Sequence, residues 1–244
     1  MLLVSMSYSS AIALSLATMS SLGVFVIVTL FFKYTFAKLP RVVFSKLYAA
    51  LIGPLYVASW VLYPVGDDSL SGLSRMCSAG LLASLLTIGF AARGSIDSGV
   101  FLFGLAHCLL AMLFWRQPCA ALASIFLSTG DAFAALMGAH TNILPRVPLP
   151  WNSDKTVAGL LGFVCSSLLV WTVVVGIYRY RGLWMLGDEG AELVQMVRSV
   201  SVTLLSALVE SLPRQGKWDN LTVCMTPLLY GIYIDYTTAP TSVS

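Results

Sequence analysis

Residues 157–178 read VAGLLGFVCSSLLVWTVVVGIY and contain no charged side chain. At about 1.5 Å per residue, a helix of that length reaches roughly 33 Å, enough to cross the hydrocarbon core of a bilayer. Leu, Phe, Val and Trp fall on every side of it, so no face is left for water. A helix of this kind is stable only in lipid or inside a bundle.

The rest of the chain repeats the pattern. Further apolar spans cover about 10–32, 43–64, 76–92, 99–115, 118–138, 192–212 and 220–236. Hydrophobic residues make up 58% of the chain and charged ones 10%, where a soluble domain needs about 25% charged residues to wet its surface. The mean hydropathy is +0.86. The fold expected is all-α, a polytopic integral membrane bundle of about eight transmembrane helices, with seven to nine as the range. One multi-pass unit is expected over 1–236, with a polar tail at 237–244. Gly53 and Pro54 interrupt the second span, and Pro54 is expected to kink it. Arg116, Gln117 and Pro118 leave room only for a tight hairpin between the fourth and fifth.

Other classes are set aside on composition. The net charge of +3 carries no basic stripe for nucleic acid. Cys77, Cys108, Cys119, Cys165 and Cys224 lie within apolar spans at no metal-ligand spacing, so neither a disulfide framework nor a zinc site is expected. The first span has no basic residues before it, with Lys33, Lys38, Arg41 and Lys46 following it, and reads as a retained helix rather than a cleaved signal. The host membrane, plastid or endoplasmic reticulum, is not distinguished.

Charge gives the bundle a direction. If the loop bearing Lys33, Lys38, Arg41 and Lys46 faces the positive side, alternation places there the loops near Arg93, between Gly138 and Lys155, and between Pro213 and Asp219. Those loops add Arg146, Lys155, Arg214 and Lys217. The opposite loops hold Asp67, Asp68, Asp188, Glu189 and Glu192, together with Arg75, Arg116, Arg179 and Arg181.

Several polar residues sit where lipid-facing helices have none. Asp131 lies within the fifth span, and at 100° per residue it shares a small, polar face with Ser124, Ser128, Ala135 and Gly138. A packing seam between helices would explain the small residues. A carboxylate at that depth is costly and points to function. In the seventh span Ser199, Thr203, Ser206 and Glu210 form a stripe ending in a second carboxylate. Asp219 and Asn220 open the eighth, where capping is the simpler reading. Between them, Trp151-Asn152-Ser153-Asp154-Lys155-Thr156 precedes the helix at 157, and a Lys beside free helix N–H groups suits a phosphate. A snorkelling interfacial Lys is the simpler alternative for Lys155. Asp131, Lys155, Glu210, Asp219 and Asn220 all fall toward the same membrane side. Carboxylates for a metal, a Lys for phosphate and a lipid-accessible bundle are the parts of phosphoryl transfer at a membrane surface.

The same residues resemble the polyprenol kinase group, which comprises phytol and farnesol kinases, dolichol kinases and CTP-dependent diacylglycerol kinases, and most of all its phytol kinase branch. The likeness rests on Gly130-Asp131-x-x-Ala134-x-x-x-Gly138, Leu149-Pro150-Trp151-Asn152-x-Asp154-Lys155-Thr156-x-Ala158-Gly159, Glu210-Ser211-Leu212-Pro213, and Asp219-Asn220-Leu221-Thr222-Val223 with Pro227. It covers roughly the C-terminal half. Toward the N-terminus only Lys46 of an Arg-Lys-x-x-His pattern is kept, and Ala139-His140-Thr141 stands where the group has two basic residues and a Gly, with His140 as a partial substitute.

The resemblance implies a kinase moving the γ-phosphoryl group from CTP, or from UTP or ATP, to a lipid alcohol such as phytol or farnesol. Catalytic roles would fall to Asp131, Lys155 and Glu210, and nucleotide contacts to Gly130, Gly138, Lys155, Gly159 and Asn220. Mg²⁺ would be held by Asp131 and Asp219. A cytidylyltransferase-like enzyme making a CDP-lipid would use similar parts, and a weakly active relative would keep them in reduced form. A small transporter would carry its acidic residues nearer the midplane. A purely structural bundle would leave the shared orientation of the polar residues unexplained.

Overall fold

The computed structural model describes residues 8–36, 38–65, 68–91, 98–140, 146–183, 192–213 and 219–238. Expectations on Asp67, Arg93, Asp188, Glu189, Arg214, Lys217 and the end of the tail lie outside the described residues.

Each apolar span is a helix. They are α1 (Tyr8–Thr35), α2 (Arg41–Ser59), α3 (Asp68–Ala91), α4 (Ser98–Leu113), α5 (Pro118–Ile125) continuing into α6 (Asp131–His140), α7 (Val157–Tyr180), α8 (Glu192–Glu210) and α9 (Asp219–Thr238). The only sheet among the described residues is a small hairpin of β1 (Pro148–Leu149) and β2 (Asn152–Thr156). The protein is an all-α membrane helical bundle.

Among the described residues, four helical stretches are long and apolar enough to cross a membrane: Ser9–Thr35, Val42–Leu62, Pro118–Ala139 and Val157–Tyr180. Shorter apolar helices cover Leu102–Leu113 and Thr222–Tyr233. Their outward faces carry Leu16, Ile27, Phe31, Leu169 and Val173, all exposed, a surface suited to acyl chains and not to water. The Pro118–Ala139 helix differs, because 78% of its most apolar window is buried against 22%, 28% and 33% in the other three. It is the axis around which the bundle packs.

Two features of that axis depart from a regular helix. Between α5 and α6 the chain makes a π-turn over Phe126–Gly130. A π-turn spreads each turn over more residues than an α-turn, so residues beyond it are rotated relative to residues before it. The single face drawn at 100° per residue from Ser124 to Gly138 is therefore broken at the π-turn. Ser128 bonds back to the carbonyl of Ser124 at 2.6 Å, and Thr129 Oγ1 donates to the Ala50 carbonyl of α2 at 2.9 Å. Asp131 begins a new face.

The second feature is a close approach of α2. A Cβ on Gly53 would meet the Ser128 side chain at 2.0 Å, so only glycine lets α2 lie this close to the π-turn. Pro54 follows within the helix, which runs on to Ser59 and then tightens into a 3-10 turn over Trp60–Leu62. Gly53→Ala is expected to cost about 1–3 kcal/mol through overpacking. Thermal unfolding in detergent checks this, and Ser128→Gly in the same chain is expected to restore part of the loss.

At the far end of α2, Arg116 holds the opposite pole of the bundle together. Its Nη2 donates to the Trp60 and Tyr63 carbonyls at 2.6 and 2.5 Å, which the helix end would otherwise leave bare. Burial pushes its pKa down from the ordinary value, only partly opposed by Tyr178.

Candidate functional site

A cavity of about 200 Å³ opens at the other pole, where α6, the β-hairpin, the start of α7 and the end of α8 converge. Its charged lining comes from Asp131, Arg146, Asp154, Lys155 and Glu210. These five come from three stretches of the sequence, at 131, 146–155 and 210, and the local chemistry of each stretch explains how they meet.

Asp131 is presented by the π-turn. Lys46, one turn and a half into α2, reaches it with Nζ 2.5 Å from Oδ2, both side chains about a third exposed at 32% and 31%. The root of α2 is fixed by an aromatic corner in which Phe32 meets Phe36, Phe44 and Tyr48. The Tyr48 and Thr29 hydroxyls are hydrogen-bonded at 2.9 Å. The corner holds Lys46 in line with the carboxylate.

The hairpin presents Lys155. Asn152 Oδ1 accepts the Asp154 N–H at 3.1 Å, closing the local turn that Asn favours. Thr156 ends the strand and caps α7 by accepting the Gly159 N–H at 3.1 Å, the ordinary N-cap bond. The Val157 N–H donates to the Val147 carbonyl at 2.9 Å, so both arms of the hairpin are tied where α7 begins. Gly159 itself lies against α6: a Cβ there would meet the Ala134 carbonyl oxygen at 2.8 Å. This seam sets the floor of the cavity.

Glu210 is presented by α8. Ser199, Thr203, Ser206 and Glu210 are all buried, so the polar stripe faces protein. Glu210 forms an ion pair with Lys155, its side chain 7% exposed and that of the Lys 32%. The next residue fastens the hairpin tip: Trp151 Nε1 donates to Ser211 Oγ and Asn152 Nδ2 to the Ser211 carbonyl, both at 3.0 Å. The Trp-Asn-x-Asp-Lys-Thr and Glu-Ser motifs thus join as one unit.

The predicted residues divide into three groups. Asp131, Gly138, Lys155, Gly159 and Glu210 line the cavity. Gly130 lies apart from its lining and against Phe163, whose ring a Cβ would meet at 2.7 Å. Asp219 and Asn220 open α9, and their side chains lie outside those described, as does that of His140. Sequence reasoning missed Lys46 as the partner of Asp131, Arg146 and Asp154 as lining residues, and Ser211 as the latch. Lys46 had left a signal as the sole cation kept from a basic motif, and Ser211 through its place beside Glu210.

The cavity combines fixed cations with carboxylates at the rim of an apolar bundle. Among the described residues no group of three or more His, Cys, Asp or Glu side chains is placed to hold a metal ion. Mg²⁺ does not require one, since it keeps most of its waters and takes one or two carboxylates along with substrate phosphates. Asp131 could serve as such a carboxylate, because Lys46 engages only Oδ2. No family model, curated protein or solved structure matches the chain.

Proposed function

We propose that the protein is a lipid-alcohol kinase, transferring the γ-phosphoryl group of CTP, or of UTP or ATP, to a prenyl alcohol such as phytol or farnesol. The observation that carries this reading is the meeting of Asp131, Lys155 and Glu210 around one polar cavity at the end of a bundle whose outer surface suits lipid. A water-soluble donor reaches such a cavity from the membrane face, and a lipid alcohol reaches it from the bilayer.

The hydroxyl oxygen of the alcohol bonds to the γ-phosphorus while the bond from that phosphorus to the β–γ bridging oxygen breaks. The nucleoside diphosphate leaves, and the hydroxyl proton passes to a cavity carboxylate. Lys155 holds donor phosphate oxygens, and Glu210 fixes the Lys155 ammonium in position. Asp131, kept in place by Lys46, is the carboxylate for Mg²⁺, which supplies charge neutralisation on the transferring group when bound. Positioning and charge account for most of the rate in this chemistry, so a rigid cavity with few residues suffices.

The test uses the purified protein in lipid nanodiscs with CTP, UTP or ATP, each labelled at the α or the γ phosphorus, offered phytol, farnesol, dolichol and diacylglycerol. Transfer of γ label alone into a lipid is the expected result. Transfer of α label with release of pyrophosphate would assign a CDP-lipid-forming transferase, and no transfer from CTP, UTP or ATP would contradict both.

A further inference from the structure

We infer that Arg146 is the anchor for the donor's phosphate chain, the group that captures a metal-chelated polyphosphate before transfer. This inference rests on the kinase reading of the same cavity. Among the described residues, Lys46 is engaged with Asp131 and Lys155 with Glu210. Arg146 also lines the cavity, is exposed, and has no carboxylate partner among the described residues. Of the two cations among the described residues lining the cavity, Arg146 is the one that can meet an incoming anion without first giving up an ion pair.

The residues that follow it are tied to the hairpin. The next residue, Val147, accepts the Val157 N–H at 2.9 Å, and Pro148 then pairs with Thr156 across the hairpin. The Arg146 backbone is therefore tied beside the N-terminus of α7. Its guanidinium offers the planar fork that grips two phosphate oxygens at once. On the same lining, Asp154 is a carboxylate that also has no cationic partner among the described residues. One spare cation and one spare carboxylate favour a ligand that carries both signs. A polyphosphate with its divalent cation fits that description, whereas a bare anion would be repelled by Asp154.

The size of the cavity points the same way. About 200 Å³ is below the range of about 300–1,000 Å³ for pockets that enclose a whole small-molecule ligand. The cavity takes the phosphate end and leaves the nucleoside outside.

The test is equilibrium binding of MgCTP, MgUTP and MgATP to the full-length protein in nanodiscs, by dialysis with labelled nucleotide. Arg146→Ala is expected to weaken binding by about ten- to hundredfold, the range for losing one hydrogen-bonded charged contact. Arg146→Lys is expected to recover part of the loss, and thermal unfolding is expected to be unchanged in both. Arg181→Ala, which alters net charge at the far end of α7, serves as the control. Binding by Arg146→Ala equal to that of the natural sequence would overturn the inference and leave the kinase reading standing. Equal weakening by Arg181→Ala would also overturn it, as a general charge effect. No binding of any nucleotide to the natural sequence would overturn both readings.

Discussion

Lys155→Ala is expected to lose phosphoryl transfer and to unfold at a lower temperature, because it removes the ammonium that pairs with the buried Glu210 carboxylate. Breaking a buried ion pair from one side costs about 3–5 kcal/mol. Lys155 is 32% exposed, so water reaches the pair and the loss falls at or below the lower end of that range. The two effects separate in the double variant. Lys155→Ala with Glu210→Gln removes both charges of the pair and is expected to regain most of the thermal stability while remaining inactive, since no ammonium is left to hold the donor. Unfolding temperature and label transfer measured in the same nanodiscs check both halves. A double variant that recovered activity together with stability would show that Lys155 serves only to neutralise Glu210.

Asp131→Asn is expected to behave in the opposite way, with a large kinetic effect and a small structural one. Its carboxylate is 31% exposed and its partner Lys46 32%, and an ion pair so open to solvent contributes about 1 kcal/mol or less. The amide preserves size and leaves the π-turn intact. It removes the negative charge proposed to hold Mg²⁺, and loss of such a preorganised charge reduces kcat by about 10²- to 10³-fold. Unfolding should shift by little. If folded Asp131→Asn kept transfer near the natural rate, Asp131 would be a packing residue of the seam between α2 and α6.

The helices were legible because an apolar run of membrane length has few other ways to fold. Asp131 and Glu210 were legible for the complementary reason, that a carboxylate within such a run is costly. Their partners were not. Lys46 and Asp131 are 85 positions apart, and Lys155 and Glu210 are 55 apart; no spacing rule links residues brought together by helix packing.

The hairpin was hidden by its own composition. Pro148 and Pro150 read as a loop, β1 is only two residues long, and β2 shows no alternation of apolar and polar residues. Its tip is fastened by Ser211, just past the end of α8. The π-turn was hidden as well, because Phe126–Gly130 carries no local signal that separates it from a regular turn. It changed the result materially, since it separates the Ser128 contact with Gly53 from the Asp131 face of the cavity.

The account stands on one claim, that the phosphoryl donor binds in the cavity between α6, the hairpin, α7 and α8. Photolabelling with an azido nucleoside triphosphate, followed by peptide mapping of the full-length protein in nanodiscs, tests it most directly. Labelled peptides are expected from 131–140, 146–160 and 208–213, with labelling suppressed by unlabelled CTP. Competed labelling confined to α3, α4 or the Arg116 pole would contradict it.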